Sequence, residues 1–584
     1  MAIYKIFVND RQYTSWTFAS GDSIHAALSQ ETLDQLKDIR PSEHKLFSKD
    51  VFLYDTDSNQ LSMMHSQIRS GTPIAGVLLL DTNKTYGRSN KRLMYKCIPD
   101  DKHLPAFLIP YDPSSGRASF SKIHKNKYVL FVFDHWRDQH PHGKLCETIG
   151  NVDDLDAFYE YQLHCKSLHV SLTNMTNKTR EQLKQKTNEE YIESILMNPG
   201  YRIEDRRRHT NIMTIDPDNS VDFDDAFSIQ SIDANTYRLS IYIANVYFWL
   251  ETLHLWKSFS NRVSTIYLPD RKRPMLPTVL SDNLCSLQQG EDRFAFAMDI
   301  DITIEGEIKH IQYKNVVIRV AKNYRYEEPD LLYNNPSYSI LYDLTKILDR
   351  NTLDSHDVVS YWMIQMNILC GKKMAESNIG IFRQAVCTNI ADMCVKKDIA
   401  DLPTQVQRVI QTWNNISGQY VIFDKSLDIH HDIMQIKNYV HITSPIRRLV
   451  DLLNQMWLMQ SLQLIENPSQ EAAEFLERWL SQLDFLNTSM RSIRKIQTDC
   501  NILHRCMTEP HIMQAEHKGI LFDKLQKNDG TFIYMVYLEE LKMLSRFKSY
   551  IEWDNYTVHP FELYLFEDEH CFKKKIRIQM KTVV

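Results

Sequence analysis

Short apolar runs separated by turn-forming residues dominate the first third of the chain and its last seventy or so residues. Val51 to Tyr54, Ile74 to Leu80, Arg92 to Tyr95 and Phe107 to Tyr111 have strand length and polar boundaries, the pattern of a small β-barrel. A second such unit holds Tyr128 to Phe133, Trp136 and Lys144 to Gly150. From Asn151 to Leu168 the apolar positions Leu155, Phe158, Tyr161 and Leu163 take up helical spacing. Tyr237 to Val246 alternates as a buried strand, and Val358 to Glu376 is a helix with Trp362, Met363, Met366, Ile368 and Leu369 inward. Helix continues to about Leu503. Strand pattern then returns, ending with Ile576, Ile578 and Met580 opposite Arg577, Gln579 and Lys581. The expected division is a segment 1–44 with no assigned role, barrels over 45–118 and 119–183, a mixed α/β core over 184–505 and a third barrel over 506–584. The fold class is multidomain α+β.

Composition narrows the functional class. At 584 residues the chain exceeds one core, and 43% apolar with 24% charged residues describes a folded protein rather than a disordered one. Ten scattered cysteines without a C-x-x-C pair fit reduced thiols, not a zinc module or disulfide framework. No apolar stretch approaches membrane-spanning length and the first ten residues lack a signal-peptide pattern, so an intracellular protein, cytoplasmic or nuclear, without membrane association is expected. The net charge of −6 does not advertise a nucleic-acid binder; a protein that threads RNA through an internal channel need not be basic overall. Locally, Lys84, Tyr86, Arg88, Lys91, Arg92 and Tyr95 interleave cations with rings, which serves a groove for single strands as well as it serves an exposed strand face.

The densest chemistry lies between Thr214 and Phe227. Asp216, Asp222, Asp224 and Asp225 fall within ten residues, separated by apolar neighbours. Like charges held close are unfavourable unless a cation sits among them, and oxygen ligands suit Mg²⁺, with Mn²⁺ as the alternative. A second stretch, Tyr439 to Asp451, places Ser444 before Pro445, which reads as a helix start with free amides for a phosphate. Arg447 in that first turn adds a charge able to oppose one developing on a phosphate.

Together these residues resemble the ribonuclease II (RNB) family, whose signature is an Asp followed six residues later by Asp-x-Asp-Asp. Ser264 to Pro269, Met275 to Leu287 and Tyr439 to Asp451 match further blocks of that family. Trp136, Pro141 and Gly143 resemble its second cold-shock-type domain in the eukaryotic exosome-nuclease branch, here expected without the N-terminal endonuclease domain. The resemblance implies two cold-shock-like OB domains, an RNB catalytic domain and a C-terminal S1-like domain. It implies Asp216 and Asp225 as direct Mg²⁺ ligands, with Asp222 and Asp224 placing a second ion or the attacking water. Tyr267 would pack on the 3′-terminal nucleotide, Arg447 would be the catalytic cation, and Ser444 and Arg448 would complete the substrate site with Lys84 and Arg88 outside it, Arg448 and Asp451 serving as supporting ion-pair residues. The implied activity is processive hydrolysis of single-stranded RNA from the 3′ end to nucleoside 5′-monophosphates by a monomer using two Mg²⁺ ions.

Three departures from the family pattern stand beside this. Asn245 replaces an Asp, Ser360-Tyr361 replaces an acidic pair, and Gln455-Met456 replaces a His-Arg pair. They support a rival, a weak or inactive RNB-fold protein that binds RNA as a clamp or regulatory partner. No second base-stacking aromatic is assigned between Tyr313 and Asp357.

Overall fold

A computed structural model of the chain describes residues 2–21, 28–55, 58, 60–112, 124–209, 211–384, 402–403, 406–407, 409–410, 418–424, 430–431, 436–527, 529–567 and 574–581. The chain forms two units, one comprising Met1–His169, Asp499–Thr508 and Leu565–Ile576, the other Val170–Thr498, Glu509–Tyr564 and Arg577–Val584.

The first unit is built from β-strands. β1 (Ala2–Val8), β2 (Trp16–Ser20), β3 (Val51–Asp55) and β4 (Gln60–His65) form an antiparallel sheet in the order β2-β1-β3-β4. Alternation in β1 buries Tyr4, Ile6 and Val8, as a one-sided strand requires. β5 (Ile74–Leu78), β6 (Arg88–Ser89), β7 (Arg92–Pro99), β8 (Phe107–Tyr111), β9 (Lys127–His135) and β10 (His142–Asn151) follow. Their order is β5-β9-β10-β8-β7-β6, and β5 also pairs with β7, so five strands close on themselves. The one parallel pairing in the ring joins β8 to β10 at Leu108 and His142, and the strand order is that of an OB-fold. Closure brings backbones close at Gly76, where a Cβ would lie 2.9 Å from the Ile98 carbonyl oxygen. Phe47 and Phe52 share a core with Val129, Phe131 and Trp136.

The expected divisions at 44/45 and 118/119 do not follow these sheets. β3 and β4 pair with strands from the first twenty residues, and the barrel spans position 118, itself within 113–123 and outside the described residues. Apolar runs announce strands, but which strands pair is decided by hydrogen bonding between distant segments. In place of two barrels there are a four-stranded sheet, half of it supplied by the first forty residues, and one closed barrel.

In the second unit, β11 (Ile203–Arg206), β12 (Met213–Asp216), β13 (Asp225–Ser231), β14 (Thr236–Ala244), the short hairpin β15 (Ile266–Tyr267) and β16 (Lys272–Arg273), β17 (Asp292–Thr303), β18 (Ile308–Arg319) and β19 (Lys322–Arg325) precede the long helices. All but the hairpin form one sheet, β11-β18-β17-β14-β13-β12-β19, antiparallel except at its two edge pairings. Arg206 and Arg207 are engaged in ion pairs within the protein. Arg206 is buried and grips Asp299 through two bonds of 2.8 and 2.6 Å, and Arg207 pairs with Asp205 and Asp292.

Helices Ser355–Glu376, Leu449–Ser461 and Leu483–Thr508 carry the rest of the core. A five-stranded sheet of β24 (His517–Gln526), β25 (Phe532–Leu538), β26 (Met543–Ser549), β27 (Val558–Glu567) and β28 (Lys574–Met580) ends the chain, after the short pairs β20 (Ile381–Gln384) with β21 (Gln419–Ile422) and β22 (His430–His431) with β23 (Ile436–Lys437). Its order, β26-β25-β24-β27-β28, is that of an OB barrel left open at one seam. Among the described residues no helix is long and apolar enough to cross a membrane.

Candidate active site

β12 and β13 pair at a single position, Met213 with Phe227, so the chain between them swings out as a loop bounded by Asp216 at the end of one strand and Asp225 at the start of the other. Asn219 provides a left-handed turn (φ 65°), which Asn tolerates better than most residues. Ser286 clamps the loop. Its hydroxyl donates to the Val221 carbonyl at 2.8 Å and accepts from the Phe223 amide at 3.0 Å, while the Leu287 amide donates to the Phe223 carbonyl at 3.0 Å. The Cys285-Ser286-Leu287 block therefore acts by holding the carboxylate loop.

The four carboxylates fall into two pairs. Asp224, 2% exposed, accepts from the Ile446 amide through Oδ1 and from Arg447 Nε through Oδ2, each at 2.9 Å. Burial pushes Asp224 up, and Arg447 with that amide pulls it back. Asp222 is held by Lys272, whose Nζ lies 3.0 Å from Asp222 Oδ1 and 3.0 Å from Asp282 Oδ1. Asp216 and Asp225 differ: each has a buried Oδ2 with no hydrogen-bond partner. Burial, and beyond it the repulsion of neighbouring carboxylates, holds both well above the usual carboxylate range. Two buried, mutually repelling oxygens without partners are what a divalent ion with a preference for oxygen would satisfy, so the residues fit Mg²⁺ or Mn²⁺. Of the four carboxylates only Asp216 and Asp225 keep such an oxygen, because Asp222 and Asp224 are bonded to protein cations.

The segment around Arg447 differs from its expected form. Residues 445–447 make a turn, Arg448 is extended (φ −144°, ψ 121°), and the helix begins only at Leu449. The antiparallel bridge of Arg448 to Ser264 interrupts the helix that Ser444-Pro445 would otherwise start. The Ile446 amide, expected to face a phosphate, is therefore spent on Asp224. Ser444 is buried, its amide donating to Asp451 Oδ1 at 2.8 Å and its hydroxyl accepting from Arg447 Nη2 at 3.0 Å. Arg448 grips both oxygens of Asp451. Ser444 thus holds Arg447 in place, whereas the expectation for it was substrate contact, and Arg448 with Asp451 forms the supporting ion pair expected of them. Arg447 itself stays accessible, with 48% of its side chain exposed.

Tyr267, 40% exposed, lies directly across the hairpin from Lys272. Cross-strand partners project to the same side, and the Tyr267 hydroxyl meets Asp222 as Lys272 does. Its amide donates to Gln497 at 3.4 Å. Burial, then Asp222, raises the Tyr267 hydroxyl far above its ordinary value. Tyr326 was missed from the sequence. Its amide donates to the Asp216 carbonyl at 3.0 Å, its ring packs 5.2 Å from that of His356, and burial followed by Asp225 and Asp216 raises its hydroxyl. Only its position one residue past an edge strand, unreadable in one dimension, puts it there. Lys84 and Arg88 are exposed in the first unit, Lys84 lying 5.3 Å over the Tyr86 ring.

Two of the departures, Asn245 and Gln455-Met456, sit in the core, and Ser360-Tyr361 is half-buried. Asn245 is buried, donating to Asn315 at 3.3 Å, and Gln455 is buried, donating to the Ala244 carbonyl at 3.2 Å. Tyr361 packs edge-on against Trp362.

The RNB domain family matches residues 205–342 and 332–464. DIS3-like exonuclease 2 of Schizosaccharomyces pombe is 31% identical over 242 residues, 40% of this chain and 25% of that protein. The matches span between about a fifth and just over half of the length of the curated relatives. Mycoplasma genitalium RNase R in complex with ribose-methylated single-stranded RNA has a similar fold, with a TM-score of 0.64 and 17% identity over 91% of this chain and 95% of that one. So does yeast Ssd1, a pseudonuclease, with a TM-score of 0.56 and 14% identity over 93% and 78%. At these identities the two structures show shared fold only.

Proposed function

We propose that the chain, whose residues 205–342 and 332–464 match the RNB domain family, is a metal-dependent hydrolytic exoribonuclease that degrades single-stranded RNA processively from the 3′ end to nucleoside 5′-monophosphates. The observation that carries this is the pair of buried, unpartnered oxygens on Asp216 and Asp225 beside the accessible Arg447. When bound there, a divalent ion supplies Lewis acidity, polarising a phosphate oxygen and making water more acidic. Arg447, fixed on one side by Asp224 and on the other by Ser444, presents a guanidinium whose orientation is set before substrate arrives. Such a charge opposes the negative charge that grows on the phosphate in the transition state. Tyr267 offers an exposed ring on which the terminal base stacks, which positions the reacting phosphate without taking part in its chemistry. Lys84 and Arg88, with the Tyr86 ring, supply charge and stacking for a single strand on the first barrel.

Incubation with Mg²⁺ and single-stranded RNA labelled at the 3′ end tests this. Release of the label as a 5′-monophosphate from otherwise full-length RNA, abolished by EDTA and absent with DNA, is expected. Full-length RNA that stays bound and keeps its label would favour the clamp reading, to which the substitutions at Asn245, Ser360-Tyr361 and Gln455-Met456 lend weight.

A further inference from the structure

Four carboxylates in one loop invite two divalent ions, yet the protein supplies two cations of its own. One is Arg447 on Asp224. The other is Lys272, and its placement is constructed rather than incidental. It stands on β16 directly across from Tyr267, with its Nζ at 3.0 Å from both Asp222 and Asp282. Asp282 is itself fixed: the Ser281 hydroxyl donates to its Oδ1 at 2.7 Å and the Gln288 side chain to its carbonyl at 2.7 Å. Asp222 also meets the Tyr267 hydroxyl. The Lys272 side chain is about one quarter exposed, so its charge is less screened than that of a surface lysine. An ion bound through Asp222 would sit next to Lys272, two like charges sharing one carboxylate.

We propose that Lys272 is a resident cation standing in for a second divalent ion, so that the carboxylate loop takes up a single ion, on Asp216 and Asp225. The proposal rests on the reading of Asp216 and Asp225 as metal ligands and goes beyond it in assigning the count of ions to a side chain outside the loop. Asp222 then serves to hold Lys272 and Tyr267 together rather than to bind metal.

Mn²⁺ titration of the full chain without RNA, followed by electron paramagnetic resonance and calorimetry, reads the stoichiometry directly. One ion per wild-type chain is expected. Lys272→Met, which keeps the length of the side chain and removes its charge, is expected to bind two, and Lys272→Arg to return to one; thermal melting checks that both variants fold. Two ions on the wild type would overturn the proposal without need of any variant, as would a single ion on a folded Lys272→Met protein. No bound Mn²⁺ on the wild type would overturn the metal reading itself and this proposal with it, a pattern distinct from the other two.

Discussion

Replacing Asp224 with Asn keeps the shape of the side chain and removes both its charge and one of its acceptors. Asp224 accepts from the Ile446 amide and from Arg447 Nε, each at 2.9 Å. Asn has one acceptor oxygen, and its NH₂ must then face one of two N–H donors. One bond is lost whichever way the amide turns. A hydrogen bond to a charged group contributes about 1.5–3 kcal/mol. Removing one partner of a fully buried ion pair costs about 3–5 kcal/mol, but Arg447 is 48% exposed and can rehydrate, which brings the expected loss of stability down to about 1–3 kcal/mol. The catalytic loss is larger, because Arg447 then has one anchor, Ser444, instead of two. Misplacing a preorganised charge donor lowers turnover by about 100- to 1000-fold, about 2.7–4 kcal/mol of transition-state stabilisation. Single-turnover degradation of 3′-labelled RNA, with melting and gel-shift measurements alongside, separates these terms. The expected result is turnover reduced by about two to three orders of magnitude with RNA binding retained. A folded Asp224→Asn protein whose turnover stays within a few-fold of the wild type would refute the assignment of Asp224 as the anchor of Arg447.

Four further outcomes are expected. Asp216 and Asp225 bind their protons more tightly folded than unfolded; their contribution to stability is therefore full below about pH 4 and is lost as pH rises into the neutral range. In EDTA the melting temperature should accordingly rise between pH 8 and the acid side, a slope that is reduced in the Asp216→Asn/Asp225→Asn double variant, where Asp224, also raised by burial, still contributes; an unchanged slope there would contradict the assignment. Tyr267→Ala should raise KM by roughly 5- to 150-fold, the equivalent of about 1–3 kcal/mol of base stacking, while Tyr267→Phe stays within a few-fold; equal losses in the two would exclude stacking as the role of the ring. Gly371 sits in helix Ser355–Glu376 where a Cβ would lie 1.9 Å from the Asn438 carbonyl oxygen, so Gly371→Ala should destabilise by about 1–3 kcal/mol through overpacking, and an unaltered melting temperature would show that the helix can shift freely. Lys84→Glu should weaken RNA binding and lower its salt dependence by about one counterion, with an unchanged slope in a salt titration counting against a phosphate contact.

What could be read in one dimension is what is local. Asp216, Asp222, Asp224 and Asp225 are near neighbours along the chain, and their crowding needs no fold to be visible. Periodicity likewise exposes Ser355–Glu376 and the strands around Tyr237, because the burial of a helix or strand face repeats every few residues. Tertiary structure decided how the charges are shared. Asp224 meets Arg447 across 223 positions and Lys272 meets Asp222 across 50, distances at which sequence carries no record of contact. It also decided that residues 445–447 turn instead of starting a helix, because the bridge from Arg448 to Ser264 competes for the same backbone, and that β5 closes on both β7 and β9. The acidic loop is written in the order of its residues. Which of its oxygens are left without a partner depends on strands and turns that only chain closure brings together, since hydrogen bonds and ion pairs act over a few ångströms of space whatever the separation along the chain.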